Sequence, residues 1–203
     1  MSDRRGYPVI FHFCLICLIL SFIPTSFAQN LREPVFMEEV EVKFAQMFNM
    51  DYGQAVDGFS SLKSKYPSHP APPLYMATSM WLQELFLRED LDLDKFIAPG
   101  YFNKPPRREM PPVKKQDFLD LVAHSQRLAG SILEQNPNHK DARYFLGSCN
   151  GLLGAFAITI DRDKTKAFKE GKKAYQRHKE LVEEDRDYYD AYFSVGLYEY
   201  AVG

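Results

Sequence analysis

The chain has 203 residues, of which 45% are apolar and 14% aromatic, so it can bury the core of one compact domain or a short solenoid. That composition argues against disorder throughout. The formal charge is −2, and a weakly acidic chain lacks the basic face that a nucleic-acid binder needs.

Residues 1–28 have the pattern of an export signal. Arg4 and Arg5 form a positive start, residues 9–23 are a predominantly apolar run of 15 residues, and Ala28 ends a small-x-small cleavage site. A membrane anchor is the alternative, but at about 1.5 Å per residue this run is shorter than a hydrocarbon core of about 30 Å. We expect cleavage after Ala28, a mature chain with net charge −3 and no membrane span, and a periplasmic or cell-envelope location.

Cleavage removes Cys14 and Cys17 and leaves Cys149 as the single thiol of the mature chain. An exported protein with one thiol has no internal disulfide, so packing must stabilise it. Cys149 stands among apolar residues, which predicts a buried, inert thiol rather than a nucleophile.

Apolar periodicity predicts an all-α fold. The second predicted helix has Ala55, Phe59 and Leu62 at helical steps, and Pro67 follows it. A small residue at such a step allows two helices to approach closely, and the large residues fill the space between them. The seven predicted helices span about residues 35–48, 52–66, 72–89, 116–135, 140–160, 164–185 and 188–203.

A proline-rich insertion at about residues 91–115 separates the third and fourth predicted helices. Its five prolines stiffen a loop and cannot continue a helix. A solvated connector is the simplest interpretation; a docking loop for an acidic partner, or a lid over a groove, is the functional one. We expect Trp81, Phe86 and Phe96 to be buried beneath it. The basic residues of the insertion are Lys104, Arg107, Arg108, Lys114 and Lys115.

Residues 144–160 carry no charge and include Gly147, Gly151 and Gly154 at helical steps. The Gly-Lys-Ser/Thr ending of a phosphate loop is missing, so nucleotide binding is not expected. A membrane hairpin is one interpretation of this run. We favour a helix buried between two others, where glycines permit close contact.

The histidines do not have the spacing of a metal site. His69 and His139 occupy equivalent positions before predicted helices, which suggests a repeated structural role, and Asp161 and Asp163 are expected to cap the helix that follows them. No catalytic motif stands out. The sequence therefore predicts no metal site, no cofactor and no enzymatic activity.

Three segments of the chain align without gaps, beginning at Pro67, Pro137 and Arg186. The alignment matches Ala77 with Gly147 and Gly196. A recurring segment that follows an amphipathic helix is the signature of a helical repeat array. The segments lie 70 and 49 residues apart, which predicts lengthened helices and an inserted loop.

The pattern Ala55-x3-Phe59-x2-Leu62-x4-Pro67, with Tyr52 before it, resembles the second helix of a tetratricopeptide repeat. The resemblance covers about residues 35–203. It implies that residues 29–203 form an α-solenoid, a right-handed superhelix of antiparallel helix pairs, and that the first helices of successive repeats line a concave groove for a protein or peptide.

By this resemblance the groove is lined by the helices that start near Pro72, Asp141 and Asp190. We expect a scaffold for protein–protein contacts in the cell envelope; a solute-binding or enzymatic envelope protein, whose insertion covers a small ligand, and a structural domain of a longer polypeptide are the alternatives. The apolar helix before Gly203 suggests further repeats beyond that residue, and the tyrosines at 188, 189, 192, 198 and 200 suggest a helix interface. Candidate groove residues are Gln83, Arg143, Asn150 and Glu199.

Overall fold

The computed structural model describes residues 30–91 and 108–202, and the regular structure of these residues is helical, without a strand. The all-α prediction is confirmed. The predicted signal peptide, Phe96, Lys104, Arg107 and Gly203 lie outside the described residues. The seven described helices are α1 (Pro34–Phe48), α2 (Tyr52–Lys65), α3 (Ala71–Leu87), α4 (Pro112–Gln135), α5 (Lys140–Phe156), α6 (Lys164–Glu184) and α7 (Tyr192–Val202).

Each helix packs against the next one in the chain, and α3 also contacts α5. The α5–α6 pair is antiparallel, because residue numbers rise along α5 as they fall along α6: Gly147 faces His178, and Gly154 faces Gly171. A π-helical turn at Ala157–Asp161 extends α5, and a 3-10 turn at Tyr189–Ala191 precedes α7. The chain therefore places neighbours in sequence beside each other in space.

The motif in α2 is buried as its spacing predicts. Ala55, Phe59 and Leu62 have exposed fractions of 0%, 0% and 2%. The Phe44 ring of α1 meets Phe59 edge-on at 5.5 Å, so the two helices interlock through aromatic side chains. The helix ends before Tyr66, whose backbone (φ −122°, ψ 66°) has left the α region that the following Pro67 disfavours.

Helix α4 begins four residues earlier than predicted, at Pro112 rather than near residue 116. The run of prolines predicted that the loop continues to residue 115. Proline is nevertheless well suited to the first turn of a helix, because backbone N–H groups there have no acceptor within the helix, so the missing N–H costs no hydrogen bond. Lys114 and Lys115 therefore lie in the first turn of α4, not in a loop. The insertion ends before them.

Two predictions of burial are wrong in part. Phe86 is 46% exposed, beside Tyr52, rather than buried, whereas Trp81 is half-buried. Among the tyrosines, Tyr188 is buried but Tyr189 and Tyr200 are 74% and 86% exposed. Helix α7 rests on α6 through one side, so the rings on its other side project into solvent.

The α1–α2 contact can be tested with a Phe→Ala substitution at one buried and one exposed site. We expect Phe59→Ala to lower the free energy of unfolding by about 3–5 kcal/mol, because it empties a fully buried aromatic site. Phe48→Ala, at a site 74% exposed, is the control and should change it by less than about 0.5 kcal/mol. Urea melts measure both; equal effects would contradict the described packing.

Candidate functional site

An apolar groove of about 680 Å³ opens between α3, α5, α6 and α7. Three of these helices, α3, α5 and α7, are the ones that the tetratricopeptide resemblance predicts to line a groove. Phe168 of α6 and Leu197 of α7 line it and are 53% and 56% exposed, so large apolar surface faces its opening. Its other large apolar residues are Trp81, Leu82, Leu85, Leu91, Ile158 and Tyr198.

One wall of the apolar groove depends on the π-helical turn after α5. The turn brings Thr159 to Trp81, whose indole Nε1 donates a hydrogen bond of 2.9 Å to the Thr159 hydroxyl oxygen. Thr159 in turn donates to the carbonyl of Ala155 at 2.6 Å. The indole is thereby fixed, with its NH satisfied and its apolar rings left to line the groove. π-helical turns of this kind are frequent at functional sites.

The floor of the apolar groove is the contact between α5 and α6. A Cβ atom at Gly154 would lie 3.2 Å from backbone atoms of Ala167 and Gly171, so any larger residue would push the two helices apart by a few tenths of an ångström. Gly147 likewise lies against the His178 ring. The predicted role of these glycines in close helix contact is confirmed. No described helix is both long and apolar enough to cross a bilayer.

His178 joins three helices at the end of the groove. Its Nε2–H donates to the carbonyl of Tyr144 on α5 at 3.0 Å, and its Nδ1 accepts from the hydroxyl of Ser194 on α7. Burial lowers the pKa of His178, which keeps the ring neutral and able to accept that bond. The imidazole therefore helps to position α7 beside the groove.

An N-terminal segment, Asn30–Glu33, contacts residues at or just before the starts of α3, α5 and α7. Leu31 is 1% exposed, and its carbonyl accepts a hydrogen bond of 3.0 Å from His69. Arg32 forms ion pairs with Asp141 of α5 at 2.8 Å and with Asp190 at 2.7 Å. Its guanidinium lies 4.5 Å from the centre of the Tyr188 ring. This segment, which precedes α1, is thereby tied to the turn before α3, to α5 and to the turn before α7.

The equivalence of His69 and His139 is confirmed as structural. His69 Nδ1 accepts from the Ala71 amide at 3.1 Å, and His139 Nδ1 accepts from the Ala142 amide at 3.4 Å. Each histidine thus satisfies an amide at the start of a helix. Asp163 does the same for α6 by accepting from the Lys166 amide at 2.8 Å, as predicted.

The four predicted groove residues do not lie in the apolar groove. Arg143 pairs with Glu184 and, at 3.7 Å, with Glu180. Asn150 donates to Glu170 at 2.7 Å, and Glu199 accepts from the Tyr175 hydroxyl at 3.2 Å. These three residues each contact a different part of α6. Gln83 lies elsewhere.

Gln83 and Lys114 line a second, polar groove of about 690 Å³ between α2, α3 and α4. Its charges are mixed: Asp57, Asp117 and Asp120 lie beside Lys63 and Arg127. His124 is also in its lining, and burial lowers the pKa of that ring. Among the described residues, no three His, Cys, Asp or Glu side chains are arranged so that they could hold one metal ion. The mixed charges of this groove do not favour one class of ligand.

Two of the three described basic residues of the predicted insertion, Arg108 and Lys115, form ion pairs within the molecule. Arg108 lies 3.4 Å from Glu84, and Lys115 forms an ion pair of 2.6 Å with Asp161. Glu84 also pairs with Arg88 at 3.0 Å, and both are almost fully buried. These contacts support a structural role for Arg108 and Lys115.

Cys149 is fully buried, as predicted, and its thiol donates to the Ser125 hydroxyl at 3.3 Å. Burial raises its pKa to about 12, so the thiolate is scarcely formed near neutral pH. No sequence pattern had pointed to Ile158, Phe168 or Leu197. The sequence signal that was available for Leu197 is the largely apolar, aromatic character of the last helix.

No family model, curated protein or solved structure matches this chain. The tetratricopeptide resemblance therefore stays a prediction from the motif in α2 and the aligned segments.

The different surroundings of Gly147 and Gly130 predict opposite effects of a Gly→Ala substitution on the free energy of unfolding. Gly147→Ala should lower the free energy of unfolding by about 1–3 kcal/mol, because the new methyl overlaps a His178 ring that is held at both nitrogens. Gly130→Ala in α4 meets no heavy atom within 4 Å and should raise it by about 0.5–1 kcal/mol. Thermal or urea melts distinguish the two signs.

His69 predicts a dependence of stability on pH. Burial lowers its pKa from 6.5 to about 4, so between these values the unfolded chain binds a proton that the folded chain does not. The contribution of His69 to the free energy of unfolding is therefore fully present above pH 6.5. It falls by about 3 kcal/mol as the pH is lowered to 4.

The uncharged variant His69→Gln isolates that contribution. The difference in unfolding free energy between wild type and variant should shrink by about 3 kcal/mol from pH 7 to pH 4. Urea melts at several pH values measure it. A difference that stays constant with pH would show that His69 titrates normally in the folded chain.

Proposed function

We propose that this chain is an exported, tetratricopeptide-like scaffold that binds a protein partner in the cell envelope and performs no catalysis of its own. The apolar groove between α3, α5, α6 and α7 carries the proposal. The resemblance implies a groove on α3, α5 and α7, and exposed residues such as Phe168 of α6 and Leu197 of α7 give this one binding surface.

The packing order supports a superhelix. Consecutive helices contact each other, and α3 contacts α5, the first helix of the next repeat. That neighbour-to-neighbour pattern is typical of solenoids, in which each repeat covers the apolar side of the one before it. Export rests on the signal pattern in residues 1–28, and stabilisation by packing agrees with the single buried thiol at Cys149.

Partner binding can be tested at the groove wall. Leu197→Glu places a charge in the apolar groove, and we expect the captured envelope partner to be lost by at least about tenfold, because an unpaired charge there must be desolvated. Val42→Glu on α1 is the matched control, since the two sites are 55% and 56% exposed. Quantitative affinity capture from envelope fractions, with circular dichroism to check folding, measures both.

Retention of every partner by Leu197→Glu would contradict binding in the apolar groove. Loss with both variants would point to charge alone rather than to this site. A groove-dependent partner that is lost only with Leu197→Glu supports the scaffold.

Binding of a small apolar ligand is the second candidate, because a groove of about 680 Å³ lies within the range of ligand pockets and few polar groups line it. Trp81 is the single tryptophan of the chain and lines this groove, so its fluorescence reports occupancy directly. A thermal-shift screen with apolar compounds, confirmed by a Trp81 emission change, would favour this alternative.

A further inference from the structure

Most of the described polar side chains that line the apolar groove already have a partner within the protein. Thr159 accepts from Trp81 and donates to Ala155. Ser194 bonds to His178, Asp90 pairs with Arg162 at 3.5 Å, and Lys164 has an interaction of its own. A partner that enters the groove therefore meets apolar surface and few free hydrogen-bonding groups.

This surface discriminates between backbone conformations of the partner. An extended peptide brings one N–H and one C=O per residue, and each such group costs about 1–3 kcal/mol when it is buried without a partner. An α-helix satisfies those groups internally and presents only side chains. The apolar groove thus favours a helix over an extended segment.

The walls suit such a helix. Trp81 and Leu85 on α3 stand on one side, and Leu197 on α7 stands on another, with Phe168 of α6 beside it. Apolar side chains at i, i+3, i+4 and i+7 of a helix form a continuous stripe along two turns, which is the usual way a helix fills a groove lined by other helices.

We propose that the occupant of the apolar groove is an amphipathic α-helix of a partner protein, bound through an uncharged apolar stripe. This inference rests on the proposed scaffold function. It adds the conformation and chemistry of the partner, and it excludes recognition through an extended backbone or through a charged terminus.

A peptide selection tests it. Random 16-residue peptides are selected on the full chain and counter-selected on Leu197→Glu, so that groove-dependent binders remain. We expect their apolar residues to recur at steps of three and four, and circular dichroism to show helix in the bound peptide. Binding affinity is measured from the change in Trp81 fluorescence. Proline at the centre of a selected peptide should weaken the affinity at least about tenfold, whereas alanine at the same position should change the affinity less than about threefold.

The outcomes separate this inference from the proposed function. Groove-dependent peptides that alternate apolar and polar residues, or that tolerate the central proline, would overturn the helical partner and leave the scaffold in place. If no groove-dependent peptide emerges, both proposals fail. Dodecanoate is titrated as a probe in parallel; a Trp81 response to it, abolished by Leu197→Glu and without any peptide binder, would assign the groove to apolar small ligands.

Discussion

Close contact between α5 and α6 determines the position of the elements around the apolar groove. Gly147 and Gly154 leave out side chains where α6 passes, so the two helix backbones approach closely. Because α6 lies so near, His178 reaches both Tyr144 on α5 and Ser194 on α7. The glycines thereby fix α6, α6 fixes α7 through His178, and the space that remains between α3 and α7 becomes the groove.

Helices and their buried faces were predictable because local periodicity encodes them. Ala55, Phe59 and Leu62 lie on one face of one helix, so their spacing alone shows that they share a neighbour. The start of α4 was missed by four residues because a proline signals both a loop and a first helical turn. Local sequence does not distinguish those two uses when several prolines occur together.

The groove lining was harder to predict because it depends on how successive helices are rotated about their axes. Arg143 and Asn150 were chosen as polar residues on the correct helix, yet each is paired with a carboxylate on α6, at Glu184 and Glu170. A polar side chain on one helix can bind the neighbouring helix as well as a ligand. Leu197, by contrast, was not singled out from the sequence and is more than half exposed.

Arg32 contacts residues that lie 109 and 158 positions further along the chain, whereas the helices contact their immediate neighbours. During synthesis from the N-terminus, the neighbouring helices have their partners early, but Arg32 must wait for Asp141 and then for Asp190 to emerge. Contacts of such high sequence separation form late in folding. The ordering of Asn30–Glu33 is therefore expected to mark the last step in folding, when α5 and the turn before α7 are already in place.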